Sequence, residues 1–377
     1  MNGNRHSRLA GSLLAGTILF QGFPQAAASA PTVIRGAGTV TVTTYATGFN
    51  NPRNVRFGPD GNLYVAEGGP GGANSTEGQC EQVPGAPDGP GPYTGSPTGG
   101  RISKVVNGTR VTVTDQFPSS QPSPNVGSTP SGVADIGWVG GTLYALTAGS
   151  GCSHGVPNTS NGIFRVGSNG SITEIANLSA FQMAHPVAHP NADDFEPDGT
   201  WYSMVVRNGA FYAVEPNHGE LDKITTSGSI SRVVDISATE GHIVPTAIAS
   251  HGVFYVGNLH PFPIEPGSSK ILQITPSGQI HTAATGFTTV LGLTFDNIGR
   301  MYVLENTTVA GEPTPGTGDI VRVGPGGKRQ VIVSGLNLPG GMTFGPDGAL
   351  YVSVWSFGPP PSLPEGPGMV LRIRLDN

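Results

Sequence analysis

L-P-G-G-M-T-F-G-P-D-G-A-L-Y-V-S-V-W, Leu338 to Trp355, reads as a strand, a tight turn and a second strand. Met342 and Phe344 alternate with small residues on the first arm, and Leu350, Tyr351 and Val352 form the second. Between them stand Pro346, Asp347 and Gly348. Proline presets the first turn torsion, aspartate bonds back to nearby main chain, and glycine accepts a positive φ at little cost.

The same words return in N-P-R-N-V-R-F-G-P-D-G-N-L-Y-V-A-E, Asn51 to Glu67, and looser copies carry Tyr144, Tyr212, Tyr255 and Tyr302. The late tyrosines, 212, 255, 302 and 351, recur at the ~40–50 residue period of a propeller blade. Composition agrees with repetition of short strands. The chain of 377 residues holds 58 Gly and 34 Pro, so many turns are required, yet 36% of it is apolar, which suits many strands joined by many turns. Only 12% is charged, the net charge is −6 and no Lys/Arg cluster is present. Nucleic acid and anionic membranes are therefore excluded as expected partners.

Residues 1–28 have the form of an export signal. Arg5 and Arg8 precede an apolar run from Leu9 to Phe23, and Ala26-Ala27-Ala28 ends it with small residues. Removal would take the charge from −6 to −8, because the segment carries two arginines and no acids. No later apolar run is long enough to span a membrane. A secreted or periplasmic protein is expected. Cys80 and Cys152 lie in insertions at the same place in successive repeats, between second and third strands, and are expected to pair in an oxidising compartment. A two-cysteine metal site would lack its usual C-x-x-C spacing.

In chain order, Thr39 to Thr44 alternates β-branched residues and opens a strand, 39–47, with no preceding partner. Four-strand modules follow. The first is interrupted by an insertion over 68–99 and closes on a hairpin at Asn107-Gly108. The segment from Phe181 to Gly199 reads as irregular. The sixth module stops after its third strand, Met369 to Leu375. It lacks one strand, and the N-terminus has one to spare. Joining them closes a ring without leaving a hydrophobic edge. An all-β, six-bladed β-propeller over 29–377 is predicted, its last blade completed by the N-terminal strand.

Loops between strands two and three converge on one face of a propeller, the expected ligand face. Three residues past each module tyrosine stand Glu67, Thr147, Glu215, Asn258, Glu305 and Val354. Glu67, Glu215 and Glu305 with Asn258 have the oxygen donors that a hard cation such as Ca²⁺ or Mg²⁺ prefers. The same residue types also cap turns by accepting main-chain N–H bonds. His218, beside Glu215 and Glu220, is the candidate general base, or a loop histidine with a main-chain bond. His260 with Asn258 occupies the matching place in the next module. A second candidate is H-P-V-A-H-P-N-A-D-D-F-E-P-D, His185 to Asp198. Its two histidines have the spacing of a helical zinc pair, but Pro186 and Pro190 forbid that helix. Asp193, Asp194 and Glu196 make it either a loop metal site or a solvated acidic loop. Nucleophile-elbow, zincin and phosphate-loop patterns are missing from the sequence.

The stretches Asn51–Glu67, D-F-E-P-D-G-T-W-Y-S-M-V (Asp194–Val205), F-Y-A-V-E-P-N-H-G-E-L-D-K-I (Phe211–Ile224) and Leu338–Ser353 resemble the ScyD/ScyE family of secreted propellers, which is related to NHL-type repeats. That resemblance covers nearly all of 29–377 and implies no settled catalytic residues. Two readings follow. One is a module that binds a small molecule or a protein at its loop-rich face, without assigned catalysis. The other resembles gluconolactonase-like propellers. There a divalent cation held by Glu215, Asn258 and Glu305 would polarise a carbonyl or activate water, with His218 as base. A quinone-dependent dehydrogenase would need a basic cofactor site that the sequence does not display.

Overall fold

The structure is a computed structural model, and it describes residues 40–85, 89–123, 130–356 and 368–375. The expected export segment lies outside them. Blade one contains β2 (Pro52–Phe57), β3 (Leu63–Glu67), β4 (Thr94–Val106) and β5 (Thr109–Gln121). Blade two contains β6 (Val133–Val139), β7 (Thr142–Thr147), β8 (Gly162–Val166) and β9 (Ile172–Asn177). Blade three has β10 (Ser203–Arg207), β11 (Ala210–Glu215), β12 (Glu220–Thr225) and β13 (Ile230–Asp235). Blade four has β14 (Pro245–His251), β15 (Val253–Asn258), β16 (Ser269–Ile274) and β17 (Ile280–Phe287). Blade five has β18 (Val290–Phe295), β19 (Met301–Glu305), β20 (Gly318–Val323) and β21 (Arg329–Leu336). Blade six joins β22 (Gly341–Phe344), β23 (Leu350–Val354) and β24 (Gly368–Leu375) to β1 (Val40–Phe49).

Closure is antiparallel and long: β1 pairs with β24 from Val40 opposite Leu375 to Phe49 opposite Gly368. The innermost strands β2, β6, β10, β14, β18 and β22 touch in sequence, and β22 returns to β2. Six apolar cores lie between successive blades. The one holding Ala349, Tyr351 and Val370 against Val55, Leu63 and Val65 joins blade six to blade one. Each such side chain, fully buried, stabilises by about 1.5–3 kcal/mol, so the ring is sealed as firmly there as elsewhere.

The repeated turn explains its own sequence. In blade six Asp347 accepts from the Ala349 amide at 3.2 Å and from the Tyr351 hydroxyl at 3.1 Å, and Arg372 on β24 binds the same carboxylate. Asp60 repeats this in blade one with Asn62, Tyr64 and Lys104. Gly348 and Gly61 take φ of 73° and 76°, where a side chain would be strained. In blades one, five and six the recurrent tyrosine therefore locks the turn between the first two strands, on the face opposite the 2–3 loops.

Two boundaries differ from the sequence reading. β4 begins at Thr94, inside the expected 68–99 insertion, because Thr94, Gly95 and Ser96 pair with Gln121, Ser120 and Ser119 on an equally long β5. The segment read as irregular opens with a helix, α1 (Leu178–Ala184), whose first turn is capped by Asn177 accepting from the Ala180 amide at 2.8 Å. A second short helix, α2 (Ser237–Glu240), leads into blade four.

Candidate functional site at the channel mouth

Antiparallel pairing sets the end of each second strand beside the start of the first, as Pro52 opposite Glu67 shows. The lip residues therefore do stand on the loop-rich face. Their oxygens turn into their own blades. Glu67 is fully buried; it accepts from the Asn50 amide at 2.6 Å and is clasped by Arg101 and Ser103 on β4. Glu215 accepts from the amides of Thr200 at 2.9 Å and His218 at 2.5 Å. Glu305 accepts from the Thr288 amide at 2.6 Å. Asn258 accepts from the Lys270 amide and donates to the Ile243 carbonyl, both at 2.8 Å. Among the described residues no group of three or more His, Cys, Asp or Glu side chains is placed to hold a metal ion. The donor set expected for a cation does not fit one.

His218 is nearly buried. Its Nε2 lies 3.0 Å from the Glu196 carbonyl, which can only accept, so that nitrogen carries the proton. Its ring leans on Phe195. His260 stays near its own loop, with Nδ1 3.2 Å from the Pro261 carbonyl. Glu220 is bound by Arg232, and burial pushes its carboxyl up to about 7; the neighbouring Asp222 is raised further by burial and by Glu220.

The densest polar group assembles from segments that the sequence keeps apart. His154 follows Cys152 in the loop between β7 and β8, and its Nε2 lies 3.0 Å from Glu196 Oε2. The pair is buried. Burial raises the Glu196 carboxyl and the His154 bond opposes that rise. Ser153 donates to Asp198 at 2.6 Å and stands 3.3 Å from His154 Nδ1. Tyr93, from the blade-one insertion, sets its ring edge-on to His154 at 4.8 Å; burial pushes its phenol well up, and the charge of Glu196 adds to the rise. At the rim, Asp194 binds His242 Nε2 at 2.9 Å, both partly exposed.

The floor is closed by inner-strand residues. Tyr202 donates across the channel to the Gly340 carbonyl at 3.0 Å, and Arg53 lies over its ring at 5.9 Å while donating to the Pro130 carbonyl. One turn deeper, Arg56 and the fully buried Asp135 form an ion pair at 2.7 Å that also holds both the amide and the carbonyl of Met204. These side chains cross the channel beneath the polar group of the mouth, the bowl, most of whose members are buried. Of the second sequence candidate, Asp194 and Glu196 enter this bowl. His185 does not: its ring stacks on Phe181 of α1. His189 and Asp193 are exposed.

The insertions that bring Tyr93 and His154 here are tied by the expected Cys80–Cys152 disulfide, with Cα atoms 6.3 Å apart. Sequence reasoning missed Arg53, Tyr93, His154, Tyr202 and His242. The triplet Cys152-Ser153-His154 is the one local signal that pointed there, since a tied loop fixes whatever side chains it carries.

Fold and bowl together define a closed six-bladed β-propeller with a plugged channel and a polar mouth. Neither a protein-family model nor a curated protein matches the chain. Among solved structures it is similar to a Thermus thermophilus protein described as a putative oxidoreductase (glucose dehydrogenase), at TM-score 0.54 and 16% identity, over 89% of this chain and 100% of that one. A Bacteroides thetaiotaomicron protein of unknown function aligns at TM-score 0.55 and 11% identity, over 89% and 76% of the two chains. A gluconolactonase from Xanthomonas campestris aligns at TM-score 0.53 and 11% identity, over 92% and 95%. At such identities the likeness is one of fold.

Proposed function

We propose that this chain is a secreted or periplasmic propeller of ScyD/ScyE type that binds a small polar molecule in the bowl over its plugged channel, with no catalysis assigned to it. One observation carries the reading: Tyr93, His154, Glu196, His218, Asp194 and His242 converge on one sector of the mouth from five separate loops, two of them joined by a disulfide. Loops held in this way present fixed donors and acceptors, which is what selective binding of a polar ligand needs. Export is supported by the form of residues 1–28 and by the disulfide. The lactonase-like alternative ranks lower because Glu215, Asn258 and Glu305 are bonded within their own blades.

The test is a calorimetric and thermal-shift screen of sugars, sugar acids and lactones, glucono-δ-lactone included. The expected hit binds the wild type and loses about tenfold or more in affinity in Asp194→Asn with His242→Gln. A hit unaffected by both changes, a panel without hits, or lactone hydrolysis that requires added Ca²⁺ or Mg²⁺ contradicts the proposal.

A further inference from the structure

The 1–2 and 3–4 turns of blade five and strand residues Tyr255, Gln273 and Ala283 of blade four frame an open cleft of about 1090 Å³ on the turn side of the ring. Its side chains include Arg300, Arg322, Lys328 and Arg329, with Tyr255 and Phe295 on the wall, and no acidic residue lines it. This is a marked departure for a chain with 19 basic and 25 acidic residues. Arg300 is matched by Asp296 beneath it. Among the described residues Arg322, Lys328 and Arg329 form no ion pair. Arg322 donates to the Gln330 side-chain carbonyl at 2.5 Å, and Arg329 lies over the Phe287 ring at 5.3 Å. Both guanidinium groups are therefore oriented without a carboxylate in contact, although the charge of Arg329 reaches Glu305.

We infer that this cleft binds an acidic oligosaccharide carrying carboxylates, of the uronate class. Like charges gathered at one cleft repel one another and concentrate anions from solution. Guanidinium groups take carboxylates two-pronged, and more than one is present, so a ligand with several carboxylates along its length matches them better than a single anion does. The volume exceeds the ~300–1,000 Å³ of ordinary small-molecule pockets, which suits several linked rings. Tyr255 and Phe295 offer apolar ring surface to the C–H face of a sugar, and Gln273 and Gln330 stand beside them with amides suited to hydroxyls. The assignment is independent of the bowl, since the two sites occupy opposite faces.

Titration of the full chain with tetragalacturonate tests it, at low and at physiological ionic strength. Binding that weakens with salt and falls about tenfold or more in Lys328→Glu with Arg329→Glu is expected. Lys328 ends the exposed turn and Arg329 is the exposed first residue of β21, so the fold survives their reversal. Arg322→Gln, read separately, is expected to weaken binding as well. The bowl variants Asp194→Asn and His242→Gln leave it unchanged. Absence of tetragalacturonate binding, equal binding of its methyl ester, indifference to the charge reversal, or equal displacement by hexaglutamate or inorganic phosphate would overturn the assignment.

Discussion

At the scale of single residues, the carboxylates at the blade lips show how one residue type serves two chemistries. Glu305 accepts one main-chain N–H and is nearly buried, and burial raises its carboxyl from an ordinary 4.5 to about 7, with Asp319 opposite it adding to the rise. A raised acid means that the fold holds a proton which the unfolded chain releases between 4.5 and about 7. Stability from this group is therefore greatest below 4.5 and is lost as pH rises through about 7. Glu305→Gln keeps the accepting oxygen and removes the charge. Its melting temperature is expected to exceed wild type increasingly from about pH 5 to about pH 8, with a gap of roughly 2 kcal/mol in unfolding free energy at the upper end. A gap that is constant with pH contradicts the assignment. The spacing of Glu67, Glu215 and Glu305 after each tyrosine was legible in the sequence. Which way their oxygens turn was not, because that depends on amides such as Asn50 and Thr200, which pairing between strands brings up from far along the chain.

At the scale of elements, the disulfide and the loops it joins decide the shape of the bowl. Cys80 and Cys152 are 72 residues apart. Closing a loop of that length restricts the unfolded chain by about 4 kcal/mol in the chain-entropy picture. The double change Cys80→Ser, Cys152→Ser is expected to lower unfolding free energy by roughly 2–4 kcal/mol in chemical denaturation. It should also weaken binding of the panel hit, since Thr76 in the blade-one insertion donates to the Cys152 carbonyl in the blade-two loop that carries His154, and Gly95 on β4 lets that loop pass close by. Full stability and unchanged affinity would count against that role. Strands and turns were readable because alternation and Pro-Asp-Gly spell them locally. Helix α1 was not, because its seven residues follow a strand without a break and depend on the Asn177 cap. Tyr93 and Glu196 were unreadable as neighbours, since nothing in either segment encodes the other.

At the scale of the molecule, the missing sixth strand and the surplus first one were legible as arithmetic, and β1 beside β24 is the outcome. Removing residues 1–49 takes away β1 together with Phe49, which is buried between blades six and one, and leaves β24 with an open edge. Loss of a single cooperative unfolding transition is expected in calorimetry, and an unchanged transition contradicts closure by that strand. The ring also fixes the two ligand faces as opposites, mouth and turn side, which the sequence could define only once the blade count was known. Hydrogen–deuterium exchange of the full chain, with and without the strongest hit of the small-molecule panel, tests binding at the bowl most directly. Slowed exchange is predicted in residues 193–198 and 215–218 and around His154 and His242, with the turn side unchanged. Protection confined to the turn side, or to the lips of blades five and six, would contradict it.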